Sequence, residues 1–267
     1  MSTSPADILW QQMKDTGLLD SRPVVFLEET ESTNSVAMDL GRKGASPGTV
    51  VVAEGQTAGR GRLSRKWISP TGSGLYFSLI LRPRLDLEDL PKITIAAGVA
   101  ICMALERETS SEPKIKWPND ILFNGKKCGG ILAEADYLAS PDSPLVVLGV
   151  GINISTPLSA FPPDLRDKVT SLAAVTGIGF SRGKVLQAIL QSLDEELTLL
   201  EGGGFQGILA AWRTRDAIGK AHLTWVTQTG RAVNGISLGP DERGILHIRD
   251  ESGGIHEVIS GDINLLR

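Results

Sequence analysis

The sequence predicts an α/β chain of the α+β kind: a mixed sheet backed by helices over residues 1–218, then a small β-barrel over 219–267. Three observations carry this. Strand-like apolar runs at 49–53, 75–81 and 145–153 alternate with segments whose apolar residues recur at helical spacing. From about Gly219 the texture changes to short alternating runs broken by glycines, the pattern of a small all-β unit. Hydrophobic residues make up 41% of the 267, enough to build a core and too many for disorder.

In order, Ser4-Pro5 opens a short helix, since serine caps and proline suits a first turn, and Gly17 supplies a stop. Residues 24–27 read as a strand, and the stretch before them is too short for an N-terminal helix-turn-helix. Ser32, Thr33 and Asn34 are all cap-competent and precede a helix with Val36, Ala37 and Leu40 on one side. Gly74 leads into the strand at 75–81. A long helix follows from about residue 90 to 107, with Ile93, Ala96, Ala97, Val99, Ala100 and Met103 forming a wide apolar face. Lys114 to Trp117 reads as a strand that stops at Pro118, and Asn124-Gly125 is a two-residue hairpin signal before strands at 128–137 and 145–153. Ser181 caps a helix carrying Val185, Leu186, Ile189, Leu193 and Leu197, and another spans 205–215. The short runs at 221–226, 245–248 and 256–259 belong to the barrel.

Composition removes several classes. A net charge of −4 and a pI near 5.5 oppose a chain built to coat nucleic acid, so any basic patch is local. The N-terminus has no basic region followed by an apolar one, and no run approaches the roughly 20 apolar residues that span a bilayer, so a soluble cytoplasmic protein is expected. Two cysteines, Cys102 and Cys128, make no disulfide framework. His222, His247 and His256 form no ligand cluster in sequence, so no structural metal site is expected.

The stretch from Gly55 to Trp67 packs three glycines, three arginines and a lysine into thirteen positions directly after a strand. Glycine admits a close backbone approach, and arginine brings planar forks of donors suited to carboxylate and phosphate. The spacing Gly59-X-Gly61-X-X-Ser64 is a poor dinucleotide fingerprint, because the third glycine is absent and no helix follows. No P-loop spacing exists. A solvated basic loop is the bland alternative.

Further polar clusters sit at expected strand ends or turns: Ser32-Thr33-Asn34, Gln56, Asn119-Asp120, Lys126-Lys127 and Asn153. Each alone also reads as a cap, a turn or a hairpin end. Together they offer neutral donors and acceptors for a polar head group and several cations for an anionic reaction centre.

At these residues the sequence resembles biotin protein ligases. Gly59-Arg60-Gly61-Arg62-Leu63-Ser64-Arg65-Lys66-Trp67, followed by residues 69–78, is similar to the family's signature. Lys116-Trp117-Pro118-Asn119-Asp120, the stretch 127–134 and Gly149-Val150-Gly151-Ile152-Asn153 match further motifs in the same order. The C-terminal unit resembles the family's SH3-like domain, ending in Ser260-Gly261-Asp262.

The resemblance implies a two-step reaction: biotin and Mg-ATP give biotinyl-5′-adenylate and pyrophosphate, then biotin passes to a lysine of a biotin carboxyl carrier protein. Two anions must meet, and at ~4 Å with an effective dielectric of ~20 a unit-charge pair repels by about 4 kcal/mol. By match of motifs, Arg62 and Lys127 are the catalytic cations. Ser32, Thr33, Asn34 and Gln56 would bind the biotin head, with Arg60 and Gly61 covering biotin through the loop backbone. Arg65, Trp67, Asn119, Asp120 and Asn153 would serve the nucleotide, with Mg2+ carried by ATP near Asp120. Cys128 reads as a small strand residue and not a nucleophile. The loop at 57–70 is expected to be mobile without ligand and to close over the adenylate.

Ser64 departs from the pattern, standing where the family often has glycine. No operator binding is expected. A lipoate or octanoate ligase or transferase of the same broad architecture is the enzyme runner-up, and a nucleic-acid-binding module the rival from another class. The identity of the carrier, the choice between monomer and homodimer, and the role of the barrel stay open.

Overall fold

Alternation along the strands sends side chains to two faces of one sheet, and the two faces are covered differently. The computed structural model describes residues 4–137, 144–226, 232–258 and 262–265. Helices α1 (Pro5–Asp15) and α2 (Leu18–Ser21) lead to β1 (Val24–Thr30), α3 (Thr33–Arg42), β2 (Val50–Gln56) and β3 (Gly74–Leu81). Then come α4 (Lys92–Thr109), β4 (Lys114–Lys116), β5 (Asp120–Phe123), β6 (Lys126–Asp136) and β7 (Leu145–Asn153). Helices α5 (Leu172–Thr176), α6 (Arg182–Glu201) and α7 (Phe205–Thr214) complete this part.

The seven strands lie in the order β1-β2-β3-β7-β6-β5-β4. Only β1 and β2 pair in parallel, because α3 crosses between them; the other neighbours are antiparallel. One face carries α1, α4, α6 and α7. Val50, Val52, Leu79, Val146 and Leu148 point into this main core, and α4 lies within it with twelve of its eighteen residues buried. The other face carries α3, with Ala37, Val51, Ile80, Leu145 and Val147 in a smaller cluster. A Cβ on Gly41 would stand 2.5 Å from Leu145 Cδ1, so glycine lets α3 lie close on β7 without displacing that side chain.

The sequence signals act as expected at several ends. Ser4 and Asp7 form a reciprocal capping box on α1, and Gly17 follows it in the left-handed conformation at φ 69°. Asn124 and Gly125 both have positive φ, the requirement of a tight two-residue hairpin between β5 and β6. Sequence reading did not separate β5, nor the short α5. Trp117-Pro118 is a cis peptide.

Strands β8 (His222–Val226), β9 (Ala232–Pro240), β10 (Leu246–Asp250) and β11 (Ile255–Val258) form an antiparallel meander, and β12 (Asp262–Leu265) returns to pair with β8. The sheet contains β9, which the sequence reading did not name. Ile259 and Ser260-Gly261 lie outside the described residues. Leu223, Leu246, Ile248 and Val258 join the same apolar core as α4 and α7. Trp117 Nε1 donates to Gly244 O at 3.1 Å, and a Cβ on Gly244 would stand 3.4 Å from Ile95.

Behind the main sheet, Arg182 at the start of α6 meets Glu54 of β2, Nη1 to Oε1 at 2.6 Å, with both side chains buried. The same Oε1 accepts from Gly72 N at 2.6 Å, and Arg182 Nη2 donates to Pro5 O at 3.0 Å. Arg182→Met leaves the Glu54 carboxylate buried and unpaired. A loss of about 3–5 kcal/mol in unfolding free energy is expected from urea denaturation, on the scale of breaking a buried ion pair from one side.

Candidate active site

Strand β7 explains where the site lies. Residues 145, 147, 149, 151 and 153 share the α3 face, because side chains alternate along a strand. The first two are Leu145 and Val147, packed under α3; the next three are Gly149, Gly151 and Asn153. The apolar layer gives way to a glycine floor, while Val150 and Ile152 keep the opposite face in the core. A Cβ at 149 would come 2.0 Å from Asn34 Oδ1, and one at 151 would come 2.4 Å from Trp67 Nε1. Gly130, paired with Gly151 across β6, extends the floor; its Cβ would stand 3.2 Å from the Trp67 ring.

At one end of this floor stands a neutral polar cluster at the N-terminus of α3. Ser32 is the cap residue, yet its side chain makes no capping bond. Instead Thr33 N donates to Gln56 Oε1 at 2.9 Å. Gln56 Nε2 donates to Ser69 Oγ at 2.8 Å, so both ends of this amide are engaged. Asn34 Nδ2 donates to Glu134 Oε2 at 2.8 Å and to Leu132 O at 3.2 Å. Ser78 Oγ donates to Asn34 Oδ1 at 2.6 Å, since that oxygen can only accept, and lies 2.8 Å from Thr33 Oγ1. Ser32, Thr33 and Asn34 are buried, an arrangement a mere solvated cap does not need.

At the other end are the charges. Lys127 Nζ pairs with Asp120 Oδ1 at 2.5 Å and sits 5.3 Å from the Trp67 ring centroid. Asn119 Nδ2 donates to Ile131 O at 2.8 Å, which ties the turn after cis-Pro118 to β6. Asn153 Nδ2 donates to Thr170 O at 3.0 Å; its Oδ1, like Trp67 Nε1, is buried without a hydrogen-bond partner among the described residues.

The arginine loop folds back as a hairpin. Isolated bridges pair Gln56 with Ser69 and Arg60 with Lys66; Trp67 N donates to Gly59 O at 2.8 Å and Gly61 N to Arg65 O at 2.7 Å. A Cβ on Gly59 would come 2.6 Å from Trp67 O, so this crossing requires glycine. The loop therefore has more internal support than its charges and glycines imply. With Leu132 and Glu134 of β6 it lines a cavity of about 640 Å³, into which Arg60, Gly61, Arg62 and Arg65 all contribute. The Arg62 guanidinium lies 5.9 Å from the Trp117 ring centroid, and Arg60 Nη2 bonds Glu134 Oε2 at 2.7 Å. Leu63 and Ser64 at the tip have φ of 54° and 58°. Ser64 thus takes the left-handed backbone that glycine adopts most readily.

The expected residues therefore gather around the N-terminus of α3, the arginine loop and the adjoining ends of β5, β6 and β7. Sequence reading missed Ser69, Ser78 and Glu134; a polar residue at an inward position of the apolar run 75–81 was the available signal for Ser78. It also overlooked Asp241, His247 and Glu257, whose ligand atoms lie within 4.8 Å of one another across the small sheet. Arg243 bonds both carboxylates of that group, at 3.1 Å and 2.5 Å, and supplies its positive charge. Cys128 is buried, and burial pushes its thiol up to about 12. Cys102 is raised by the same cause.

Comparisons with known proteins identify the family. A family model described as "Biotin/lipoate A/B protein ligase family" matches residues 26–153, and the fold and site define a ligase of that class. The chain is 37% identical over 246 residues to the bifunctional ligase/repressor BirA of Bacillus spizizenii, covering 91% of this chain and 74% of the relative. It is 32% identical over 233 residues to the biotin–[acetyl-CoA-carboxylase] ligase of Paracoccus denitrificans, covering 85% and 95%. The structure of the biotin protein ligase of Aquifex aeolicus in complex with biotin and ATP superposes with a TM-score of 0.78 at 32% identity, covering 92% of this chain and 99% of that one. The chain belongs to the biotin protein ligase family.

Two tests follow from the geometry. Gly151→Ala should cost about 1–3 kcal/mol in chemical denaturation, the range for overpacking. In a Trp67→Leu background most of that cost should vanish, because the obstructing indole is gone. Native protein should also resist alkylation at pH 8, since both buried thiols stay protonated well above that pH, and both should react after unfolding.

Proposed function

We propose that this chain is an ATP-dependent biotin protein ligase that forms biotinyl-5′-AMP and transfers biotin to a lysine of a biotin carboxyl carrier protein. The observation that carries it is the glycine floor with a buried neutral cluster at one end and cations at the other. A urea-like head needs fixed neutral donors and acceptors; the carboxylate and the α-phosphate need positive charge between them.

In this reading Ser32, Thr33, Asn34 and Gln56 hold the biotin head, and Arg60 and Gly61 cover it. Arg62 and Lys127 face the carboxylate and phosphate at the point of attack. Their charge offsets the repulsion of the two anions and follows the developing charge into the transition state. No enzyme nucleophile is needed, in keeping with the raised Cys128 thiol. Arg65, Trp67, Asn119, Asp120 and Asn153 serve the nucleotide. Of the six buried side-chain atoms without a hydrogen-bond partner among the described residues, two lie in the site, Trp67 Nε1 as donor and Asn153 Oδ1 as acceptor, and they support that assignment. Mg2+ would travel on the phosphates, where it withdraws negative charge. Asp120 Oδ1 is already engaged by Lys127, so no protein cage for the ion is assigned there.

The division at residue 218 assigns the catalytic role to the larger part. We assign the arginine loop no nucleic-acid role, since Arg60 turns to Glu134 and Arg62 to Trp117. No helix among the described residues is long and apolar enough to cross a membrane, and a cytoplasmic carrier is the partner proposed.

Arg62→Ala should slow adenylate formation ~10²-fold or more, on the scale of losing one transition-state donor. Pyrophosphate release with biotin and Mg-ATP checks it, and wild-type rates in the variant would remove Arg62 from the chemistry.

A further inference from the structure

Glu134 lies near the end of β6, across the cavity from the arginine loop. Its Oε2 accepts from two groups at once: Asn34 Nδ2 at 2.8 Å and Arg60 Nη2 at 2.7 Å. The first bond fixes an orientation. Turned the other way, the Asn34 amide would set its oxygen against the Glu134 carboxylate and the Leu132 carbonyl, so its Nδ2 faces these acceptors and its Oδ1 faces Ser78. The second bond spans the cavity from β6 to the loop. One carboxylate oxygen thus joins the neutral cluster of α3 to the arginine hairpin.

We propose that Glu134 is a positioning residue for both halves of the site: it locks the orientation of the Asn34 amide within the neutral cluster and latches the loop through Arg60, so that it sets how long the adenylate is retained. This rests on the ligase reading above. An isolated surface ion pair contributes little. Here the Glu134 side chain is only 29% exposed and is already held by Asn34, so Arg60 closes on an acceptor that has lost much of its freedom. The latch is neither so buried that the loop could not open nor so solvated that it could not hold.

The test uses the full chain, loaded with labelled biotin and Mg-ATP, freed of excess ligand and chased without carrier protein. Glu134→Gln should release the adenylate roughly three- to tenfold faster, the range for a partly exposed charge-assisted pair. KM for biotin should rise more than kcat for adenylate formation falls. Arg60→Gln, on the exposed loop where folding is not at stake, should release it comparably fast. The double variant should be no faster than the faster single, because both remove one interaction. Wild-type release should quicken with salt while that of Glu134→Gln stays flatter.

Equal release from Glu134→Gln and wild type, or additive effects in the double variant, would overturn the latch while leaving the ligase intact. Absence of any adenylate on the wild type would sink both readings.

Discussion

A carboxylate and a guanidinium buried together behind the sheet tie four neighbouring pieces of chain to one point. Glu54 belongs to β2, Arg182 to the start of α6, Pro5 to the start of α1 and Gly72 to the turn before β3, and the hydrogen bonds of one ion pair join them. Two charges out of water are tolerated only where geometry and additional hydrogen bonds compensate for lost hydration. That requirement holds the turn at residues 71–74, which is also the far anchor of the arginine loop. The near anchor is the bridge from Gln56 to Ser69. The base of the loop is therefore set from two sides, by the buried ion pair behind the sheet at its far end and by Gln56 of the neutral cluster at its near end.

On the front face the governing fact is what β7 lacks. Where α3 covers the sheet, β7 presents leucine and valine; beyond that cover it presents glycine, glycine and asparagine. The missing side chains make room for Asn34 and the Trp67 indole to lie on the backbone itself. The neutral cluster and the Lys127–Asp120 pair consequently occupy opposite ends of one floor, with the Arg60–Glu134 pair beside the neutral cluster. The separation suits a reaction in which an uncharged head must be held still while two anions are brought together.

Much of this was legible in the sequence, for physical reasons that differ by element. Strand β7 and helix α4 announce themselves because buried elements must be apolar, and Ser4-Pro5 and Asn124-Gly125 because their backbone geometries admit few residues. Strand β5 did not, since its four residues sit between a proline and a hairpin turn and leave no room for a period to show. Strand β9 is interrupted by Gly235 and Gly239, which read as turns. In the site, the arginines and Lys127 stood out by type and motif. Glu134 fell within the matched stretch 127–134 but drew no role, because its partners Asn34 and Arg60 come to it only when the chain folds. The Asp241, His247 and Glu257 group stayed hidden for the same reason: its members meet only across the strands of the small sheet.

The hydrogen bond from Trp117 to Gly244 makes the small C-terminal sheet more than an appendage. The indole whose ring lies beneath the Arg62 guanidinium has its own N–H seated in a carbonyl of that sheet, beside Ile95. A chain cut after residue 218 would not simply be shorter. It would open the main core to water at the foot of the arginine loop and leave the indole N–H without its acceptor, so the two sheets form a single mechanical frame for one guanidinium.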